Sequence, residues 1–111
     1  MIPVEKIIAY IRENVQSVDI EVDKGIIFGS TATGERTDKS DTDIILISDN
    51  FEDINIYKRP VPFLEEWDNI KYGPVEFICL TSYEFNEKKK IEDSVYDEAN
   101  ENGITIDFNS D

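Results

Sequence analysis

Three short apolar runs, GIIF at 25–28, DIILIS at 43–48 and VEFICL at 75–80, constrain this 111-residue chain more than anything else in it. Each is flanked by turn-forming residues and reads as a buried strand. Ahead of the first, VDIEVDKG at 18–25 alternates apolar and acidic residues, which fits a short strand or an approach loop equally well. Pro3 followed by Val4, Ile7, Ile8, Ile11 and Val15 has the spacing of one helix face, with proline where a first turn tolerates it. Phe63, Leu64, Trp67 and Ile70 repeat that spacing until Tyr72-Gly73-Pro74 breaks it. Thr81-Ser82-Tyr83-Glu84 is a capping-box pattern that predicts a new helix. Its apolar face, Phe85, Ile91, Val95 and Ala99, is irregular around Lys88-Lys89-Lys90, and Gly103 stops it before an edge strand, ITIDF. With 40% hydrophobic residues and neither a repeat nor a linker, residues 1–111 are expected to form one domain. A chain of this size should bury roughly 65% of its unfolded surface.

Charge and composition remove several function classes. Eleven basic residues against 25 acidic ones give a formal charge of −14, which opposes unaided binding to nucleic acid or to an anionic membrane. A phosphate-bearing ligand would need backbone N–H groups, local cations or divalent metal. Cys79 is the sole cysteine, so a disulfide framework or a cysteine zinc site within the chain is excluded. The absence of histidine removes imidazole acid–base chemistry and serine triads. Carboxylates remain as the catalytic candidates. No stretch approaches the ~20 apolar residues of a membrane span and the N-terminus lacks a signal-peptide core, so a cytoplasmic location is expected.

The segment between the first two strands holds the chemistry. Gly29-Ser30 can turn the backbone tightly and present N–H groups to an anion, although the same pair often makes a plain turn. Gly34 suggests a positive φ or a close backbone approach. In an extended chain Asp41 and Asp43 point to one side and Thr42 to the other. Two such charges ~6 Å apart repel by roughly 3 kcal/mol at an effective dielectric of ~20. A divalent cation turns that repulsion into attraction, and oxygen-only ligation suits magnesium; a solvated acidic turn is the alternative. Glu76 interrupts the otherwise apolar third run. It either faces outward on a half-exposed strand or joins Asp41 and Asp43, if its strand lies beside DIILIS.

Gly29-Ser30, the ten residues Thr31 to Ser40, and Asp41-Thr42-Asp43 resemble without a gap the signature of the DNA polymerase β-like nucleotidyltransferase superfamily. With GSTATG, SDTD and VEFICLTSYEF, the similarity points to its minimal nucleotidyltransferase (MNT) proteins and covers most of residues 3–95. The resemblance implies an α/β (α+β) nucleotidyltransferase fold, a small mixed sheet of about four strands packed against helices. It implies a magnesium-dependent enzyme that transfers a nucleoside monophosphate, AMP if the donor is ATP, to an acceptor hydroxyl or phosphate. Gly29 and Ser30 would hold the β and γ phosphates. Asp41, Asp43 and Glu76 would ligate two Mg2+ ions, with Glu76 also helping to deprotonate the acceptor. Many relatives carry arginine where Thr33 stands, leaving Arg36 or Lys39 as substitutes, and the third acid is commonly aspartate rather than Glu76. Larger relatives have acceptor-binding domains, so a partner is expected here. By analogy it is a HEPN-domain toxin to which the chain is the antitoxin, and a homo-oligomer stays open. The competing readings are a regulatory module that binds nucleotide or partner without turnover, and an unrelated acidic metal-binding or structural protein.

Overall fold

The computed structural model describes every residue except Met1, Arg36, Asp38, Lys39, Ser110 and Asp111. In chain order the elements are α1 (Val4–Ser17), β1 (Lys24–Phe28), α2 (Ser30–Thr33), β2 (Thr42–Ile47), a 3-10 turn (Asp49–Phe51), α3 (Val61–Glu66), α4 (Asn69–Tyr72), β3 (Val75–Leu80), α5 (Ser82–Lys88), α6 (Val95–Asn102) and β4 (Ile104–Asp107). The strands form one mixed sheet in the order β3-β2-β1-β4. β1 pairs antiparallel with β2 and β4, and β2 pairs parallel with β3. The fold is thus the expected α+β arrangement with four strands, ITIDF supplying the edge.

Period-two alternation divides the sheet into two faces. Ile27, Ile44, Leu46, Phe77, Cys79 and Ile106 point to one, where Ile7, Ile11 and Val15 of α1 and Phe63 of α3 cover them. Trp67 fills the corner beside Phe77, the rings 5.7 Å apart and nearly perpendicular. Ile26, Ile45, Ile47 and Leu80 point to the other, where Phe85 of α5 and Ala99 of α6 cover them. Gly103 ends α6 directly on β1: a Cβ there would stand 2.4 Å from Ile26 Cγ2 and 2.9 Å from the Ile27 carbonyl oxygen. The second face is left open around the start of β2 and β3, where Asp43 is half-buried and Glu76 exposed.

Three expectations are refined. Residues 18–23 are an approach loop rather than a strand, although the Asp23 N–H continues the ladder to the Ile47 carbonyl at 3.0 Å. The spacing over 63–70 spans two helices. The chain becomes extended at Trp67, whose indole N–H reaches the Gly73 carbonyl at 2.8 Å, and the Asp68 carboxylate caps a new start at the Ile70 and Lys71 N–H groups. Ile70 is consequently fully exposed rather than part of a buried stripe. The helix after the capping box also divides, into α5 and α6. Asp93 takes φ +63° and Ser94 caps α6 by accepting from the Asp97 N–H at 3.1 Å. The capping box itself forms as expected, with Thr81 and Glu84 each accepting the other's backbone N–H. Arg59, 5% exposed, locks it by donating to Glu84 at 2.7 Å and to the Cys79 and Ile54 carbonyls.

No helix among the described residues is long and apolar enough to cross a membrane.

Candidate active site

The site lies where β1 ends and β2 and β3 begin. β1 runs out at Phe28, and Gly29 turns the chain into α2 with φ +74° and ψ −153°, a conformation essentially reserved for glycine. A second reason for glycine is space, because a Cβ at this position would lie 2.8 Å from Asp43 Oδ2. The Asp43 carboxylate therefore sits against the backbone of the Gly-Ser turn. α2 is a single turn, ended by Gly34 with φ +82°, whose N–H returns to the Ser30 carbonyl. The positive φ expected of Gly34 is thus present. Thr33, the departure from the arginine of many relatives, is exposed and donates its hydroxyl to Ser30 O at 3.4 Å. The two substitute cations, Arg36 and Lys39, lie outside the described residues.

Ahead of β2, the Thr37 N–H donates to Ser40 Oγ at 2.9 Å and the Ser40 N–H to Thr37 O at 3.1 Å. Asp41 follows as an exposed residue, and Thr42 enters the sheet fully buried. The Thr42 N–H donates to Pro74 O at 3.0 Å, which closes the mouth of the parallel pair.

Register brings the acids together. Asp43 is level with Glu76 across the parallel pair and opposite Phe28 across the antiparallel one. Level residues on adjacent strands stand ~4.8 Å apart and point to the same face, here the open one. The electrostatic consequence falls on Asp43, whose carboxyl is raised above its ordinary 3.8 by burial first, then by the charge of Glu76, then by that of Asp41. The charges of Glu76 and Asp41 thus both bear on Asp43.

Crowded carboxylates with only oxygen donors fit a hard divalent cation, because such an ion removes the repulsion that otherwise favours a proton on Asp43. Among the described residues, no three acidic side chains are gathered closely enough to ligate an ion as they stand. The sequence reading assigned no part to Phe28 or to the Pro74 carbonyl, both of which frame the site. Strand register is the signal that finds them, and one sequence does not display it.

Comparison with known proteins follows this geometry. A family model described as a nucleotidyltransferase domain matches residues 4–106. Among solved structures, a protein from Sulfolobus solfataricus described as a candidate nucleotidyltransferase shares the fold with a TM-score of 0.56 at 21% identity, over 92% of this chain and 86% of that one. A comparison with curated proteins finds no match.

Proposed function

The chain belongs to the nucleotidyltransferase domain family, and from that premise we propose that it transfers a nucleoside monophosphate, AMP from ATP, to an acceptor oxygen. The observation that carries this reading is the pairing of Asp43 with Glu76 in the β2–β3 register, directly beside the Gly29 turn. Asp41, Asp43 and Glu76 would hold magnesium, two ions by family analogy. When bound, the metal supplies positive charge for the triphosphate and for the attacking and leaving oxygens.

The chain's own residues do the rest. Gly29 and Ser30 bind the β and γ phosphates through backbone N–H groups, and the absence of a side chain at Gly29 leaves room for the Asp43 carboxylate against that turn. Asp43, fixed by the β2 ladder, aligns the donor; Asp41 completes the donor side from the strand mouth. Glu76 lies on the neighbouring strand and is exposed, so it faces the side from which an acceptor arrives and accepts its proton. Strand ends hold these groups in a fixed mutual geometry, which a mobile loop does not.

The site is built within a single domain spanning the chain, with the acceptor supplied from outside it. A surface of formal charge −14 suits a basic protein partner, and the family analogy names a HEPN-type toxin whose hydroxyl receives AMP, in the cytoplasm. The test is incubation with labelled ATP, magnesium and the protein that co-purifies from the native cell. Label should pass to the partner and be lost in Asp41→Asn, Asp43→Asn and Glu76→Gln. Mg-ATP binding in calorimetry with no turnover under any of these conditions would favour the regulatory-module reading instead.

A further inference from the structure

A cavity of about 260 Å³ opens behind the Gly29–Ser30 turn, walled by Ile2 and Val4 at the start of α1, Thr31 and Ala32 of α2, Gly34 just after it, and Ile104 of β4. It lies across the sheet from the carboxylates. Ile104 is level with Ile27, and both pack on the α1 side. Asp43 and Glu76 stand two residues before Ile45 and Ile78, on the face that α5 and α6 cover. The cavity is therefore no part of the carboxylate cleft, yet it shares α2 with it.

Two of its walls are bonded directly to the turn. The Ala32 N–H donates to Gly29 O at 3.1 Å, and the Gly34 N–H returns to Ser30 O. α2 is a single turn with Thr31 as its one buried residue, and a Cβ at Gly34 would meet nothing within 4 Å. A group seated in the cavity thus bears on the element that sets the Gly29 and Ser30 backbone on the opposite face.

The lining identifies the occupant. No charged side chain contributes to it, although 32% of the chain is charged. Its volume falls below the roughly 300–1,000 Å³ of small-molecule sites and suits a single large apolar side chain, the usual anchor of a protein interface. The approach is acidic. Glu5 directly follows Val4 in the first turn of α1, and Glu35 directly follows Gly34 with its N–H on Ser30 O at 3.0 Å. Both are exposed, and neither has a cationic partner among the described residues.

We propose that this cavity anchors a protein partner, which inserts one apolar side chain flanked by lysine or arginine and thereby holds α2 from behind. That this acts on bound phosphate rests on the nucleotidyl-transfer reading; the seating of the anchor does not.

The experiment is methyl and amide NMR of isotope-labelled protein titrated with the end-blocked tripeptide Lys-Leu-Lys. Saturable shifts are expected at Ile2, Val4, Ala32 and Ile104, together with the Gly29 and Ser30 N–H groups. Affinity should fall about tenfold for Lys-Ala-Lys, and about tenfold for Lys-Leu-Lys on Ala32→Leu, whose larger side chain fills the cavity. It should fall about threefold on Glu5→Gln/Glu35→Gln, and further for Glu-Leu-Glu on the wild type. The spectra verify that each variant is folded. Equal binding of Lys-Leu-Lys and Glu-Leu-Glu, or shifts that avoid the cavity methyls, overturns the proposal. Isobutanol binding as tightly as the peptide makes a small neutral molecule the occupant and overturns it as well. Saturation of the methyls with silence at Gly29 and Ser30 overturns the hold on α2. Failure of the transfer reading registers separately, as a lack of Mg-ATP response at Gly29, Ser30 and Asp43 whether or not peptide is bound.

Discussion

Replacing Gly29 by alanine tests the site through stability, without needing a substrate. Two costs add. The backbone at φ +74° and ψ −153° lies in a region that costs a residue with a side chain about 1–3 kcal/mol. The new methyl would also stand 2.8 Å from Asp43 Oδ2, a separation that forces the carboxylate to move. Together these predict a loss of about 2–3 kcal/mol, read as a fall in Tm of roughly 8–15 °C for a domain of this size. Gly34→Ala is the control. It shares a positive φ, +82°, but a Cβ there meets nothing within 4 Å, so only the left-handed penalty of about 1 kcal/mol applies. Chemical denaturation of Gly29→Ala, Asp43→Ala and the double variant separates collision from backbone strain, with a coupling of about 1 kcal/mol expected. A Gly29→Ala protein within about 0.5 kcal/mol of wild type, with an additive cycle, would refute the close approach of Asp43 to the turn.

Other outcomes follow from the same coordinates. Asp43 has a raised folded pKa, so its contribution to stability is greatest below its unfolded value and is lost as pH rises through the folded one; Asp43→Asn should therefore raise Tm at pH 7 and flatten the decline above about pH 4. Burial alone would raise Glu84, but hydrogen bonds from Arg59 and the Thr81 N–H and the Arg59 charge together hold it below its ordinary value. Its stabilisation is present above that value and fades as pH falls through the lowered one. Arg59→Leu should cost about 2–4 kcal/mol in denaturant melts and abolish that part of the acid dependence. Burial pushes the Cys79 thiol up to about 12, with Arg59 offsetting part of the rise, so thiol reagents at pH 8 should label it only as the protein unfolds.

What could be read from the residues alone depended on whether the signal was local. VEFICL appears as β3 without a shift of either boundary, and the Thr81–Glu84 box forms both of its bonds, because apolar continuity and capping act within a few residues. Gly29-Ser30 and Asp41-Thr42-Asp43 each admit a plain turn when read alone, and it is their ten-residue spacing that resembles the family signature. Helical spacing misled twice for one physical reason: it records which residues are apolar but not whether the chain stays helical between them. Asp68 and Ser94, good N-caps in the middle of each span, restarted the helix there, and their weight depended on the Trp67 bond to Gly73 and on the Asp93 turn. The alignment of Asp43 with Glu76 is a matter of register between distant segments, so it could only be stated as a condition on where β3 lies.

The central claim is that Asp43 and Glu76 converge on one open face and repel each other until a divalent cation joins them. Carbon-detected NMR titration of the Asp43 and Glu76 carboxyls, with and without Mg-ATP, measures this directly. The account predicts that Asp43 titrates above 3.8 in the free protein, moves down in Glu76→Gln, and moves down again when Mg-ATP is added to the wild type. An Asp43 that titrates at the ordinary value and ignores both the substitution and the metal nucleotide would contradict it.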